Sequence, residues 1–309
     1  MKKIAIIGIG GVGGYFGGKI AHALTNSKEH EVYFVARGKH LEVIKKEGLL
    51  LKTNQEGEFR CVPTLATDNI HDLPTLDICF ICVKQYDLTP VLEQLRSKIT
   101  PQTKVVPLLN GVDIYERIRN VVDDGIVFPA CVYVGTHIAA PGIVEQSGGS
   151  CTIIFGTDPK HPHMDAKDIC QLFDTSAIKY EWTAHHMEAI WEKFMFIASY
   201  GLVTACYNKT LGEVYASEEY AKSVKLIIET IYDISKAMKI GLGHDIVEQS
   251  YKKAALFPFE TKTSFQRDYE LKDKPDEREL FGGSIIALGK KYGIDVSAVE
   301  EIYQQLNEK

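Results

Sequence analysis

Gly8, Gly10 and Gly13 have the spacing of a phosphate-binding turn. They follow a short apolar run, Lys3-Ile4-Ala5-Ile6-Ile7, and open a helix-like stretch reaching about Leu24. In such a turn the first glycine bends the chain and the second lets the backbone approach a pyrophosphate. The third packs helix against strand. The N–H groups at the helix start, and its dipole, favour a bound anion. Gly8, Gly10, Gly11, Val12 and Gly13 are therefore the candidate loop for a dinucleotide. A second apolar run, Val32-Tyr33-Phe34-Val35-Ala36, ends in Arg37. Sites for NAD usually carry Asp or Glu there, to accept from the ribose hydroxyls. A carboxylate repels a 2′-phosphate, whereas a guanidinium pairs with it bidentately. NADPH is the expected cofactor, with Lys39 and His40 adding positive potential and Glu31 at the wrong end of the strand.

Other residues with chemical potential fall past strand ends or on one helix. Lys84 follows the apolar run 76–83, and Asn110-Gly111 follows Val105-Val106-Pro107-Leu108-Leu109. Glycine at 111 permits a turn that aims Asn110 inward; taken alone, the pair is equally an ordinary turn, and Lys84 a surface lysine. Lys193 sits in Trp191-Glu192-Lys193-Phe194-Met195-Phe196 and shares a helical face with Ile197 and Gly201. A lysine desolvated there could serve as a general acid, although a snorkelling lysine reads the same way. Glu277, ahead of Gly282-Gly283, reads alone as dipole complementation in a first helical turn.

These residues need a scaffold, and the pattern supplies two parts. Strand signals at 4–8, 31–36, 76–83, 104–109 and 126–134 alternate with helical stretches such as 39–47 and 87–98. That alternation predicts a parallel sheet with crossover helices. Residues 142–145 and 151–156 read as an antiparallel pair, followed by a helix near 165–174 and a strand near 177–182. From about 184 helices take over: 185–207, 217–240, 244–255, 277–292 and 296–307. The expected division is a nucleotide domain over 1–183 and a helical domain over 184–309, with ligands at the carboxyl ends of the strands.

At 309 residues, with 45% hydrophobic and 25% charged residues, the composition is that of an ordinary globular protein. A net charge of −6 and no basic stripe argue against a nucleic-acid partner. No apolar run reaches membrane-spanning length. The start mimics a signal peptide only superficially, being interrupted by glycines and needed as the first strand, so a cytoplasmic location is expected. Seven scattered cysteines suit reduced thiols. Cys79 and Cys82 lie in an apolar run, which argues against a redox or zinc pair. His161, His163, His185 and His186 lack companions at metal spacing, so no metal is expected.

Taken together, the sequence resembles the ketopantoate reductase (2-dehydropantoate 2-reductase) family from end to end. The resemblance rests on Gly8 to Gly13, Ala36-Arg37-Gly38, Val83-Lys84, Leu109-Asn110-Gly111, Trp191-Glu192-Lys193, Thr263-Ser264, and Glu277 six residues before Gly283. It implies an α/β Rossmann-type N-terminal domain plus an all-α C-terminal domain of the 6-phosphogluconate-dehydrogenase-like helical kind. It implies Lys193 as the catalytic lysine that protonates the ketone, and Glu277 as the acid holding substrate, through its hydroxyl. Ser264 would contact the substrate carboxylate, Asn110 and Lys84 would line the site beside the nicotinamide, and Arg37 would bind the 2′-phosphate. The implied activity is NADPH-dependent reduction of 2-dehydropantoate to pantoate, in pantothenate biosynthesis. This chain has Ile197 and Gly201 where better-known members carry asparagines; Tyr200 or Thr204 are candidate replacements. Other expectations compatible with the scaffold are reduction of another 2-oxo acid, an opine-type imine reductase, or a non-catalytic NADPH-binding regulator. A homodimer fits such an architecture, with no residue pattern fixing its patch.

Overall fold

The computed structural model describes residues 1–308. The chain divides into two compact units, residues 1–110 with 114–186, and residues 111–113 with 187 onward. In the first unit the early elements are β1 (Lys2–Ile7), α1 (Gly11–Ala23), β2 (His30–Val35), α2 (Gly38–Glu47), β3 (Leu49–Thr53), β4 (Gly57–Cys61) and β5 (Leu65–Thr67). There follow β6 (Ile78–Ile81), α3 (Gln85–Leu95), β7 (Lys104–Pro107), α4 (Ile114–Arg119), β8 (Ile126–Val127), β9 (Ala130–Ala140), β10 (Ile143–Phe155), α5 (Lys167–Thr175) and β11 (Lys179–Trp182).

One sheet is parallel throughout, in the order β5-β2-β1-β6-β7-β8. Past Lys2 and Lys3 its central strand is apolar because both faces are covered: Ile4, Ala5, Ile6 and Ile7 are all at most 1% exposed. The strand order reverses at β1, with β2 on one side and β6 on the other, which opens a crevice at the carboxyl ends. A second sheet has the order β11-β10-β3-β4, with β9 antiparallel to β10. The glycines of α1 let it lie close to both sheets. A Cβ at Gly17 would come within 2.9 Å of Ile6 in β1, and one at Gly14 within 2.6 Å of Val144 in β10.

The expected alternation of strand and helix is present, with three corrections. Residues 142–145 and 151–156 do not pair with each other; they are the two ends of the single strand β10. Between them, register shifts against β9 on either side of Gly148 absorb the extra residues, and Gly149 and Cys151 take φ values of 79° and 57°. The run 126–134 is two strands in different sheets, broken at Pro129, which has no N–H for a ladder. The strands β3, β4 and β5 were not expected.

The second unit is helical: α6 (His186–Tyr207, entered from the first unit at His186), α7 (Leu211–Ala216), α8 (Glu218–Ala237), α9 (Ile246–Lys252) and α10 (Ser264–Tyr269). A π-helical turn over Glu279–Gly283 leads into α11 (Ser284–Tyr292), and α12 (Ser297–Glu308) follows. The expected helix over 277–292 is thus two pieces. The core of the unit is α6, whose Trp191, Phe194, Met195, Ala198, Leu202 and Val203 are at most 1% exposed. A helix apolar on so much of its circumference must be surrounded. The amphipathic α8 buries Val224, Ile227, Ile228, Ile231 and Ile234, spaced three and four apart, and packs on α7, α9, α11 and α12. Among the described residues no helix is long and apolar enough to cross a membrane.

Candidate active site

In the first unit the glycine loop separates into closed and open positions. Gly8 has φ +96°, and a Cβ there would lie 2.9 Å from the Val83 backbone nitrogen. At Gly13 a Cβ would lie 2.0 Å from the Gly8 carbonyl oxygen and 2.9 Å from Cys82 Cβ, so this glycine sets how closely α1 approaches the strands. Gly11 is closed by Thr136, whose carbonyl oxygen would be 2.7 Å from an added Cβ. Gly10 differs: nothing lies within 4 Å of its Cβ position. It is the N-cap of α1, with no side-chain cap and no acidic residue in the first turn. The protein leaves its backbone open where first-turn N–H groups want an anion. These residues fit a pyrophosphate, with Val12 half-buried behind them against the core.

Arg37 caps α2 immediately past β2, with its side chain 71% exposed. Its guanidinium donates to Asp87, in the first turn of α3. His40 does not add the positive potential expected of it. The Gly142 N–H donates to its Nδ1 at 2.9 Å, and burial lowers its pKa against the opposing pull of the Ile9 carbonyl. Both effects favour the uncharged imidazole. Lys84, half-buried, is the N-cap of α3 after β6. Asn110 is half-buried beyond β7, and Gly111 after it takes φ +122°. Because the sheet is parallel, the loop, Arg37, Lys84 and Asn110 all follow carboxyl ends of strands at one edge.

In the second unit Lys193 is half-buried on α6. Neighbouring Glu192 is paired with Lys253 at 3.0 Å. Two contacts tie this helix to the segments carrying Ser264 and Glu277. The Thr204 hydroxyl is 2.9 Å from that of Thr263, which caps α10 by accepting from the Gln266 N–H. Phe281 packs on both Phe194 and Phe265, with ring centroids 6.1 and 5.4 Å apart. Ser264 is exposed at the start of α10, while Glu277 is 2% exposed and its carbonyl accepts from the Phe281 N–H at 3.1 Å. The π turn that follows is held tight at Gly282, where a Cβ would meet Tyr303 at 2.4 Å. Neither candidate replacement for the asparagines is presented. Tyr200 donates its hydroxyl to the Tyr251 carbonyl at 2.7 Å, and Thr204 is turned to the Gly201 carbonyl and Thr263; both residues are 0% exposed.

Comparison with known proteins decides the family. Residues 4–160 match Ketopantoate reductase PanE/ApbA, and residues 185–309 match the C-terminal part of the same family. The chain belongs to the ketopantoate reductase family. It is 23% identical over 304 residues to the uncharacterized oxidoreductase YkpB of Bacillus subtilis, covering 98% of this chain and 97% of that protein. The crystal structure of 2-dehydropantoate 2-reductase from Porphyromonas gingivalis W83 superposes with a TM-score of 0.83 at 27% identity, covering 99% of each chain. The ternary structure of D-mandelate dehydrogenase with NADH and anilino(oxo)acetate also superposes with a TM-score of 0.83, at 20% identity over 99% of this chain and 97% of that one. The chain is an oxidoreductase of the ketopantoate reductase family, and the Rossmann-type unit followed by a helical one is the fold of its relatives.

Within this family member, several side chains are structural. Among the described residues no three His, Cys, Asp or Glu side chains gather as a metal site. Among the described residues no cysteine is in a disulfide, and burial pushes Cys79 up to about 12. His161 is bound to Asp158 at 2.8 Å and His186 to the Thr183 carbonyl at 3.1 Å. Asp87 was missed from sequence because an acid in the first turn of a helix needs no other explanation.

Proposed function

We propose that this chain reduces the ketone of a 2-oxo acid to the 2-hydroxy acid with NADPH, and that 2-dehydropantoate, giving pantoate, heads the substrates to test. The observation that carries the cofactor reading is the single open glycine, Gly10, among closed ones, beside a strand ending in Arg37. Gly8 to Gly13 would hold the pyrophosphate, Arg37 the 2′-phosphate, and Lys84 and Asn110 the edge beside the nicotinamide. When bound, the reduced nicotinamide supplies the hydride for the carbonyl carbon. Lys193 donates a hydrogen bond to the carbonyl oxygen, stabilises its growing negative charge and delivers the proton, so that one hydride and one proton complete the alcohol. Ser264 would hold the carboxylate and Glu277 would orient the substrate. In this division residues 1–183 bind NADP and residues 184–309 bind substrate and supply the catalytic lysine. Mostly buried cysteines outside any disulfide support a reducing compartment such as the cytoplasm.

The test is NADPH oxidation against a panel of 2-oxo acids, with NADH in parallel. Lys193→Ala is expected to lower kcat by about 10²–10⁴ while NADPH affinity holds. Oxidation by no oxo acid, with NADPH still bound, would favour a non-catalytic NADPH-binding regulator. Turnover only with an added amine would favour an opine-type imine reductase.

A further inference from the structure

The face of α6 that runs on from Lys193 has an unusual chemical make-up for a site that must recognise a small polar acid. Ile197, Tyr200, Gly201 and Thr204 lie one to three turns along it. Ile197 is half-buried and apolar. Gly201 contributes no side chain, and Phe265 lies 3.5 Å from where its Cβ would be. The two hydroxyls on this face are inaccessible: Tyr200 and Thr204 are each 0% exposed and hydrogen-bonded inside the unit. On the flank, Phe196 stacks on Phe257, with centroids 5.6 Å apart and planes 13° from parallel, and Phe257 is 45% exposed. Of the residues on this face and flank, those that reach the surface are therefore one aliphatic side chain, Ile197, and an aromatic pair, Phe196 and Phe257.

We infer that the 2-oxo acid taken beside Lys193 has an apolar side chain, branched aliphatic or aromatic, and that a hydroxyl on that side chain is not read. The inference rests on Lys193 acting at the carbonyl, as proposed above. A site built to hydrogen-bond a substrate hydroxyl rejects the analogue lacking it by about 10⁴–10⁵, whereas an apolar wall distinguishes the two by only about 10². Against Ile197 a hydroxyl loses water and gains no partner. Glu277 is the group through which the resemblance would read a hydroxyl, so the test must expose that contact if it exists.

The decisive pair is 2-dehydropantoate and trimethylpyruvate, which has a methyl group where the former has a hydroxymethyl group. Phenylglyoxylate serves as the aromatic probe. With the full chain and NADPH, kcat/KM for trimethylpyruvate or phenylglyoxylate is expected to equal or exceed that for 2-dehydropantoate, by up to about 100-fold. Ile197→Asn is expected to move the ratio at least tenfold toward the hydroxylated acid. A wild-type preference for 2-dehydropantoate over both others overturns the apolar wall and leaves the reductase reading standing. Turnover of none of the three overturns both.

Discussion

The two units place their chemistry by different physical means. In the first, the candidate binding groups are mostly backbone, and their positions follow from close packing. Gly8, Gly11 and Gly13 are each closed by a protein atom within 3 Å of an added Cβ, and only Gly10 is open. In the second, the candidate groups are side chains on α6, at the start of α10 and just before a π turn, held by aromatic packing and one hydroxyl pair. A backbone site is dictated by sterics and writes glycines into the sequence at fixed spacing. A side-chain site on a buried helix looks like any other buried helix.

The largest expected effect tests whether the first unit is rigid because of its buried polar hub. Asp158 is 0% exposed and accepts from Tyr115, Arg119, His161 and the N–H groups of Val127 and Lys160. Burial pushes its pKa up, but these donors outweigh burial and hold it below the usual carboxylate range. Asp158→Asn leaves Arg119 facing no charge, and unfolding in urea should show a loss of about 3–5 kcal/mol. Because the folded value is depressed, the stabilisation is complete above the unfolded value of about 4 and fades as pH falls through the folded one. The wild type's advantage over Asp158→Asn should therefore persist from neutral pH and shrink only in acid. An advantage that stayed full in strong acid would contradict this assignment.

Next come substitutions that separate packing from binding. Gly13→Ala should destabilise by up to about 3 kcal/mol, since its methyl meets the Gly8 carbonyl. Gly10→Ala should unfold like the wild type while NADPH binding weakens at least tenfold, about 1.4 kcal/mol. If both variants lose stability equally, the distinction between open and closed glycines fails. Arg37→Ala should reduce the preference for NADPH over NADH by roughly 1.5–3 kcal/mol, measured as a ratio of dissociation constants. The smallest effect concerns Asp87. An exposed ion pair is worth about 0.2–1 kcal/mol, so Asp87→Asn should free Arg37 and tighten NADPH binding by no more than about fivefold.

The same contrast explains what the sequence revealed. The strands β1, β2, β6 and β7 were legible as apolar runs because a parallel sheet covered on both faces needs them. β4, Gly57–Cys61, was not, because it is largely exposed and mixed in composition. β10 was cut in two because Ser147-Gly148-Gly149-Ser150 reads as a turn, whereas a bulged strand accommodates the same residues. The short helix α7 was not expected: six residues are too few for a periodic pattern, although the structure shows a capping box between Thr210 and Glu213 at its start. In the site, the glycine loop and Arg37 could be argued from residue chemistry alone. Lys193, Ser264 and Glu277 needed the resemblance, since a lysine in an aromatic helix and a glutamate before two glycines carry ordinary explanations. The Gly142 N–H that occupies His40 Nδ1 lies 102 residues away, and no local pattern reports it.

The division of labour between the units is tested most directly by a crossed experiment on Arg37→Ala and Lys193→Ala. NADPH dissociation constants and single-turnover NADPH oxidation rates would be measured for both variants with one 2-oxo acid at saturation. Arg37→Ala should weaken NADPH binding and leave the single-turnover rate at saturating cofactor near that of the wild type. Lys193→Ala should bind NADPH normally and lose most of the rate. A Lys193→Ala protein that turns over at the wild-type rate would contradict the account.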